Sequence, residues 1–148
     1  MAEEIRAEEF SDYLTVVASD FESKSLRPVI DECVPILRQS VRDNFTSSAS
    51  PDNVGWVPRK KIGDGHPLLV ESGDLMQAAV GTGSGSVSEA DDRSVTIGVK
   101  GDVIRYAAIH NFGGVTRPMP QREFMGAKEE RLVECADIMA EYIVVNFF

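Results

Sequence analysis

An apolar stripe with helical spacing dominates the N-terminal third of the chain. Leu26, Ile30, Val34, Leu37, Val41 and Phe45 recur every three or four residues, the period of one face of an α-helix. A helix of this kind must bury its stripe against another element. Pro28 suits its first turn. Pro35 falls in its interior, where the missing N–H and the ring predict a kink or a split costing roughly 3 kcal/mol. Two further stripes flank it. Phe10, Leu14, Val17 and Phe21 predict a helix from about Glu4 to Phe21, followed by a Ser23-Lys24-Ser25 turn. Leu132, Ala136, Met139, Ile143 and Phe147 predict a last helix from near Ala127 to the C-terminus. Glu129 and Glu130 sit in its first turn, where the helix dipole favours anions.

The middle of the chain has a different pattern. From Ser47 to Pro67 the periodicity vanishes, and Ser47-Ser48-Ala49-Ser50-Pro51-Asp52-Asn53 and Gly63-Asp64-Gly65 are breaker chemistry. So long a loop is rare unless functional or disordered. It carries the only tryptophan, Trp56, and the densest basic cluster, Arg59-Lys60-Lys61. Two readings stand: an extended arm over residues 47–67 that grips a neighbour, or a solvated loop with Trp56 tucked back on the core. Leu68-Leu69-Val70 then leads to Ser72-Gly73-Asp74-Leu75, a turn opening a short helix. Val95, Ile97 and Val99 alternate with Ser94, Thr96 and Gly98 as in a half-buried strand. Val80 to Ser88 is a weaker strand candidate, and Glu89-Ala90-Asp91-Asp92 would join the two as a hairpin. Val103 to Phe112 has a helical look and stops at Gly113-Gly114. Pro118 and Pro120 keep the next segment extended.

These elements predict an α+β fold: two N-terminal helices and a C-terminal helix packed on a small, mainly antiparallel sheet. The 148 residues, 43% hydrophobic and 26% charged, fit a single domain with one core. No apolar run approaches the roughly 18 residues of a membrane span. The acidic start, Met1-Ala2-Glu3-Glu4, lacks the order of a signal peptide, so the chain is expected to stay in a cytoplasm. There Cys33 and Cys135 are expected as small core residues rather than a disulfide. A net charge of -9 disfavours specific nucleic-acid binding but does not exclude a channel through which DNA slides, whose negative lumen would keep DNA from sticking.

Catalytic chemistry is hard to assemble from this chain. His66 and His110 are the only histidines, and neither falls in a metal-ligand motif. Tyr106 lies four residues before His110, which reads as a hydrogen-bonded structural pair. The acidic pairs are adjacent in sequence, so on helices they do not face each other. Gly81-Thr82-Gly83-Ser84-Gly85 lacks the Gly-Lys-Ser/Thr ending of a phosphate loop and reads as a flexible turn. No Gly-x-Ser-x-Gly elbow is present. Catalytic, cofactor-binding and metal-binding residues are therefore all expected to be absent. A hydrolase using His110 with Asp74 or Asp102 is the competing reading, and a monomeric adaptor for a host protein is a third.

The most informative stretch is Tyr106-Ala107-Ala108-Ile109-His110-Asn111-Phe112-Gly113-Gly114, followed by Pro120-Gln121-Arg122-Glu123-Phe124-Met125-Gly126. Upstream lie Trp56, Ser72-Gly73-Asp74-Leu75 and the strand ending Thr96-Ile97-Gly98-Val99. This order resembles the phage virion morphogenesis family, the Mu-type tail-completion proteins. That family has a loop tryptophan, a Leu-x-x-Ser/Thr-Gly-x-Leu turn and a strand ending in Val-Gly. A Tyr-Ala-x-Ile-His-Gln-Phe-Gly-Gly segment and a Pro-x-Arg-x-Phe-Leu-Gly segment follow. Here Asn111 replaces the usual Gln, Met125 the usual Leu, and the leucine near Trp56 is missing. The resemblance covers about Trp56 to the C-terminus.

Read physically, the motif is scaffold. Gly113-Gly114 permits a sharp reversal, and Tyr106, Ile109 and Phe112 supply apolar anchors. Arg122 could pair with a carboxylate or cap carbonyls while Phe124 plugs the core. The resemblance implies a tail terminator, neck protein or head–tail connector in the virion, assembled in the host bacterial cytoplasm. It implies a homo-oligomeric ring, commonly a hexamer, that meets other tail or neck proteins and passes DNA as cargo, with no membrane partner. Trp56, Arg59, Lys60, Lys61, Phe147 and Phe148 are the candidate interface residues.

Overall fold

A computed structural model describes residues 7–61 and 65–148. The elements are α1 (Ala7–Ser23), α2 (Arg27–Ser47), α3 (Asp74–Val80), β1 (Ser86–Ala90), β2 (Val95–Val99), α4 (Ala107–Phe112) and α5 (Glu129–Phe147). The fold is α+β, and β1 and β2 form a two-stranded antiparallel sheet. The expected start of the first helix at Glu4 and the Met1–Glu4 segment lie outside the described residues, as does Gly63-Asp64.

The long helix α2 is the axis of the molecule. It runs unbroken through Pro35, which does not split it. Pro35 and Asp31, whose carbonyl the missing N–H would have met, both lie on the exposed side, where water can take up the freed acceptor. α2 is buried on two faces. Val41 and Phe45 join Leu75, Ala78, Ala79, Ile104 and Phe124 in the core. The Phe45 ring meets Trp56 edge-on at 5.7 Å and Phe124 at 5.4 Å. Removing each such side chain from water contributes about 1.5–3 kcal/mol.

The other face of α2 packs on α5, and hydrogen bonds fix the direction. The Ser40 hydroxyl accepts from the backbone N–H of Lys128 at 2.7 Å, just before α5 begins. At the far end the Tyr142 hydroxyl donates to the Ser25 carbonyl at 3.1 Å. The helices are therefore antiparallel. Between them lie Cys33 and Cys135, both buried and both free thiols. Burial first, and then the hydrogen bond with Cys33, pushes the Cys135 thiol up to about 12.

Three boundaries differ from the sequence reading. The first strand is Ser86–Ala90, and Val80 belongs instead to α3. Gly81 ends α3 at φ +90°, and a Cβ there would lie 2.5 Å from Arg38 Nε. That close approach lets the Arg38 guanidinium donate to the carbonyls of Ala79 (3.0 Å) and Val87 (2.9 Å), binding α2 to the hairpin. The hairpin turn follows Ala90. There the Asp91 carboxylate accepts from the N–H groups of Arg93 and Ser94 and from the Ser94 hydroxyl. These bonds hold its carboxyl below the usual carboxylate range. Helix α4 begins only at Ala107, because the Lys100 carbonyl first closes a turn with the N–H groups of Val103 and Ile104.

Helix α5 keeps part of its expected stripe. Phe147 is buried and Met139 and Ile143 are half-buried, while Leu132 and Ala136 face outward and Cys135 is buried in their place. Leu132, Val133, Val144, Val145 and Phe148 thus form exposed apolar surface. Helix α1 is more exposed still: every residue from Glu8 to Val16 lies on the surface. Its ties gather at its C-terminal turn. There the Phe21 ring packs, tilted, at 5.3 Å against Phe147, and Arg93 donates to the carbonyls of Phe21 and Glu22. No described helix is long and apolar enough to cross a membrane.

Candidate functional site

The motif segments converge at the C-terminal end of α2. Helix α4 ends at Gly113, whose φ of +79° and close neighbours, Gln121 N and Met119 O each 3.3 Å from a Cβ, favour glycine. The chain then folds back. Gly114 bridges Met119, and the N–H of Arg122 donates to the His110 carbonyl at 2.7 Å. Asn111 secures the reversal from within: its Oδ1 accepts from the N–H groups of Phe124 (3.1 Å) and Met125 (3.0 Å). From α2, Asn44 Nδ2 donates to the carbonyls of Phe124 (3.0 Å) and Gly126 (3.1 Å).

Onto this frame the loop after α2 is folded down. Residues Ser48 to Trp56 turn tightly, with an Ala49–Gly55 bridge and a bond from Trp56 N to the Ser48 carbonyl at 2.8 Å. The Trp56 ring is buried, and its Nε1 donates to the Glu123 carbonyl at 3.0 Å. The Arg122 guanidinium donates to the carbonyls of Val57 (2.9 Å) and Pro58 (3.4 Å). Of its two sequence readings, carbonyl capping is the one seen, and Phe124 is 1% exposed in the core.

Two adjoining hollows result, sharing Arg59 and Arg122 on their walls. The larger, about 970 Å³, is lined by Leu69, Asp74, Tyr106 and His110 among others. The smaller, about 680 Å³, is lined by Val57, Pro58, Lys60, Lys61, Pro118 and Met119. Four cations thus border one apolar groove on a chain of net charge -9. Arg59 spans the hollows. Its Nη2 donates to the Pro67 carbonyl at 2.7 Å and lies 2.8 Å from His66 Nδ1. Among the described residues His110 Nδ1 is buried without a hydrogen-bond partner. Burial, and then the charge of Arg122, holds His110 below its ordinary 6.5, so its ring is neutral at neutral pH.

Several expected roles are corrected. Tyr106 and His110 share an edge-on ring contact at 5.9 Å, with no side-chain hydrogen bond between them. Phe112 is no core anchor; it is 74% exposed, because α4 turns Ala107 and Asn111 inward. The Trp56 and Phe147 rings are not exposed, since both are buried within the chain. Lys60, Lys61 and Phe148 are exposed, and Arg59 is half-buried. Ser72 and Asp74 bond each other at 2.9 Å while Gly73, at φ +85°, opens α3. Leu75 behind them is in the core.

Asp74 and His110 line the same hollow, but no described hydrogen bond joins them, and Asp102 lies in an exposed turn that is not part of its lining. Activating a nucleophile needs a base within hydrogen-bond reach, itself oriented by a third group. Among the described residues no cluster of His, Cys, Asp or Glu could hold a metal ion. What the arrangement can do is receive an acidic, partly apolar surface.

Sequence reasoning missed the polar residues Arg38, Ser40, Asn44 and Lys128 that build the frame, and gave Asn111 of the motif no inward role; all five are buried. The available signal was position. Ser40 and Asn44 are four apart on one face of α2 and border its apolar stripe.

Fold and groove together define a small scaffold built to present surfaces. The chain belongs to the phage virion morphogenesis family, which matches it over residues 5–144, and its role lies in the assembly of a phage particle. No curated protein and no solved structure matches it.

Proposed function

We propose that copies of this chain close into a ring, hexameric by analogy with the tail-completion proteins it resembles. That ring completes the phage tail or joins tail to head. The carrying observation is apolar surface left in water by the single subunit. Tyr13 is 55% exposed on α1, and Val145 and Phe148 are 74% and 75% exposed on α5. Apolar surface of this extent marks an interaction site. A cyclic contact is heterologous, so each subunit must carry two different, complementary patches. Arg59, Lys60, Lys61 and Phe148 belong to those patches, while Trp56 and Phe147 support them from beneath. The net negative charge suits a passage for DNA, because it repels the phosphates of passing cargo. Function in this reading is docking, with no substrate turned over.

Native mass spectrometry with negative-stain imaging tests the proposal. The expected result is one closed species of fixed subunit number with a pore wide enough for duplex DNA. A monomer at every concentration overturns it.

A further inference from the structure

We infer that α1 of each subunit docks in the basic groove of the next copy, and that this exchange is the joint of the ring. The inference deepens the ring reading and rests on it. Three observations point to the same pairing.

The first is placement. The root of α1 lies at the N-terminal end of α2: the N–H of Leu26 bonds the Asp92 carbonyl at 3.1 Å, and Arg93 holds Phe21. The groove lies at the other end, where Asn44 holds Phe124 and Gly126. At about 1.5 Å per residue, the 17 steps from Arg27 to Asn44 separate these points by about 25 Å. Helix and groove sit at opposite poles, as a head-to-tail contact requires.

The second is apolar pattern. Phe10, Tyr13, Leu14 and Val17 follow the i, i+3, i+4, i+7 spacing by which an amphipathic helix fills a groove. Phe10 and Leu14 are half exposed on their own subunit, at 51% and 49%. Val57, Pro58, Pro118 and Met119 give the groove a matching apolar lining.

The third is charge. Residues 3–22 hold Glu3, Glu4, Glu8, Glu9, Asp12, Asp20 and Glu22 against the single cation Arg6. The groove is bordered by Arg59, Lys60, Lys61 and Arg122. The most acidic segment therefore faces the densest basic patch, which sets partner and orientation.

Cysteine trapping tests the pairing in the full chain. The double variant L14C/K60C alters two exposed positions and leaves the buried native thiols in place. Under mild oxidation it is expected to give a ladder of covalent multimers ending at the ring size, with neither single variant doing so. Charge reversal in K60E/K61E should weaken self-association by about tenfold or more, with circular dichroism unchanged. A wild-type ring in which L14C/K60C gives no ladder overturns the docking and leaves the ring standing. A wild-type monomer overturns both.

Discussion

Asn111 carries more of the motif than its aromatic neighbours do. One side-chain oxygen receives two backbone N–H groups, Phe124 and Met125, across the reversal after α4. Its truncation to alanine would strand both donors. Asn111→Ala is expected to cost about 1–3 kcal/mol for each stranded donor, read as a lower midpoint in urea at unchanged slope. His110 gives a pH signature. Its folded-state pKa is depressed below 6.5 by burial and by Arg122, so the fold favours the neutral ring. That contribution is fully present above pH 6.5 and is lost as pH falls through the folded value. His110→Gln should flatten the acid-side loss of stability relative to wild type, measured by thermal melts from neutral pH downward. In the ring reading the same variant should keep self-association intact, whereas an enzyme relying on this imidazole would lose turnover. Sequence alone identified these motif positions but assigned directions wrongly. Spacing on a six-residue helix does not say which side faces the core, and small Ala107 and Asn111 claim the inside while Phe112 faces water.

Among the elements, α2 was the most legible, since its stripe is long and one period fits it throughout. Its continuity through Pro35 was not, because the cost of a helical proline depends on whether the freed carbonyl meets water. The first strand was placed too early: Gly81 serves a helix cap and a close approach to Arg38, so pairing starts only at Ser86. Helix α5 misled for a different reason. It is apolar on two sides, with Cys135, Ile138, Met139 and Tyr142 toward the body and Leu132, Val133, Val144 and Val145 toward solvent. A stripe drawn on such a helix can settle on either side. The loop after α2 was left between two readings. The tie from Trp56 to Glu123, far along the chain, folds the Trp56 part of that loop onto the core, while Lys60 and Lys61 beyond it stay exposed.

At the scale of the molecule, stability and association separate onto different surfaces. The core around Phe45 holds the subunit together, and the outer face of α5 adds nothing to that core. Val145→Asp should therefore leave the unfolding free energy within about 0.5 kcal/mol of wild type. In the ring reading it should nevertheless dissolve the oligomer, as sedimentation velocity would show. In the ring reading the rigid helix α2, which connects the root of α1 to the groove, acts as a ruler between successive joints. Lengthening it by one turn would set those joints about 5.4 Å further apart, and the bore of such a ring would follow the length of a single helix.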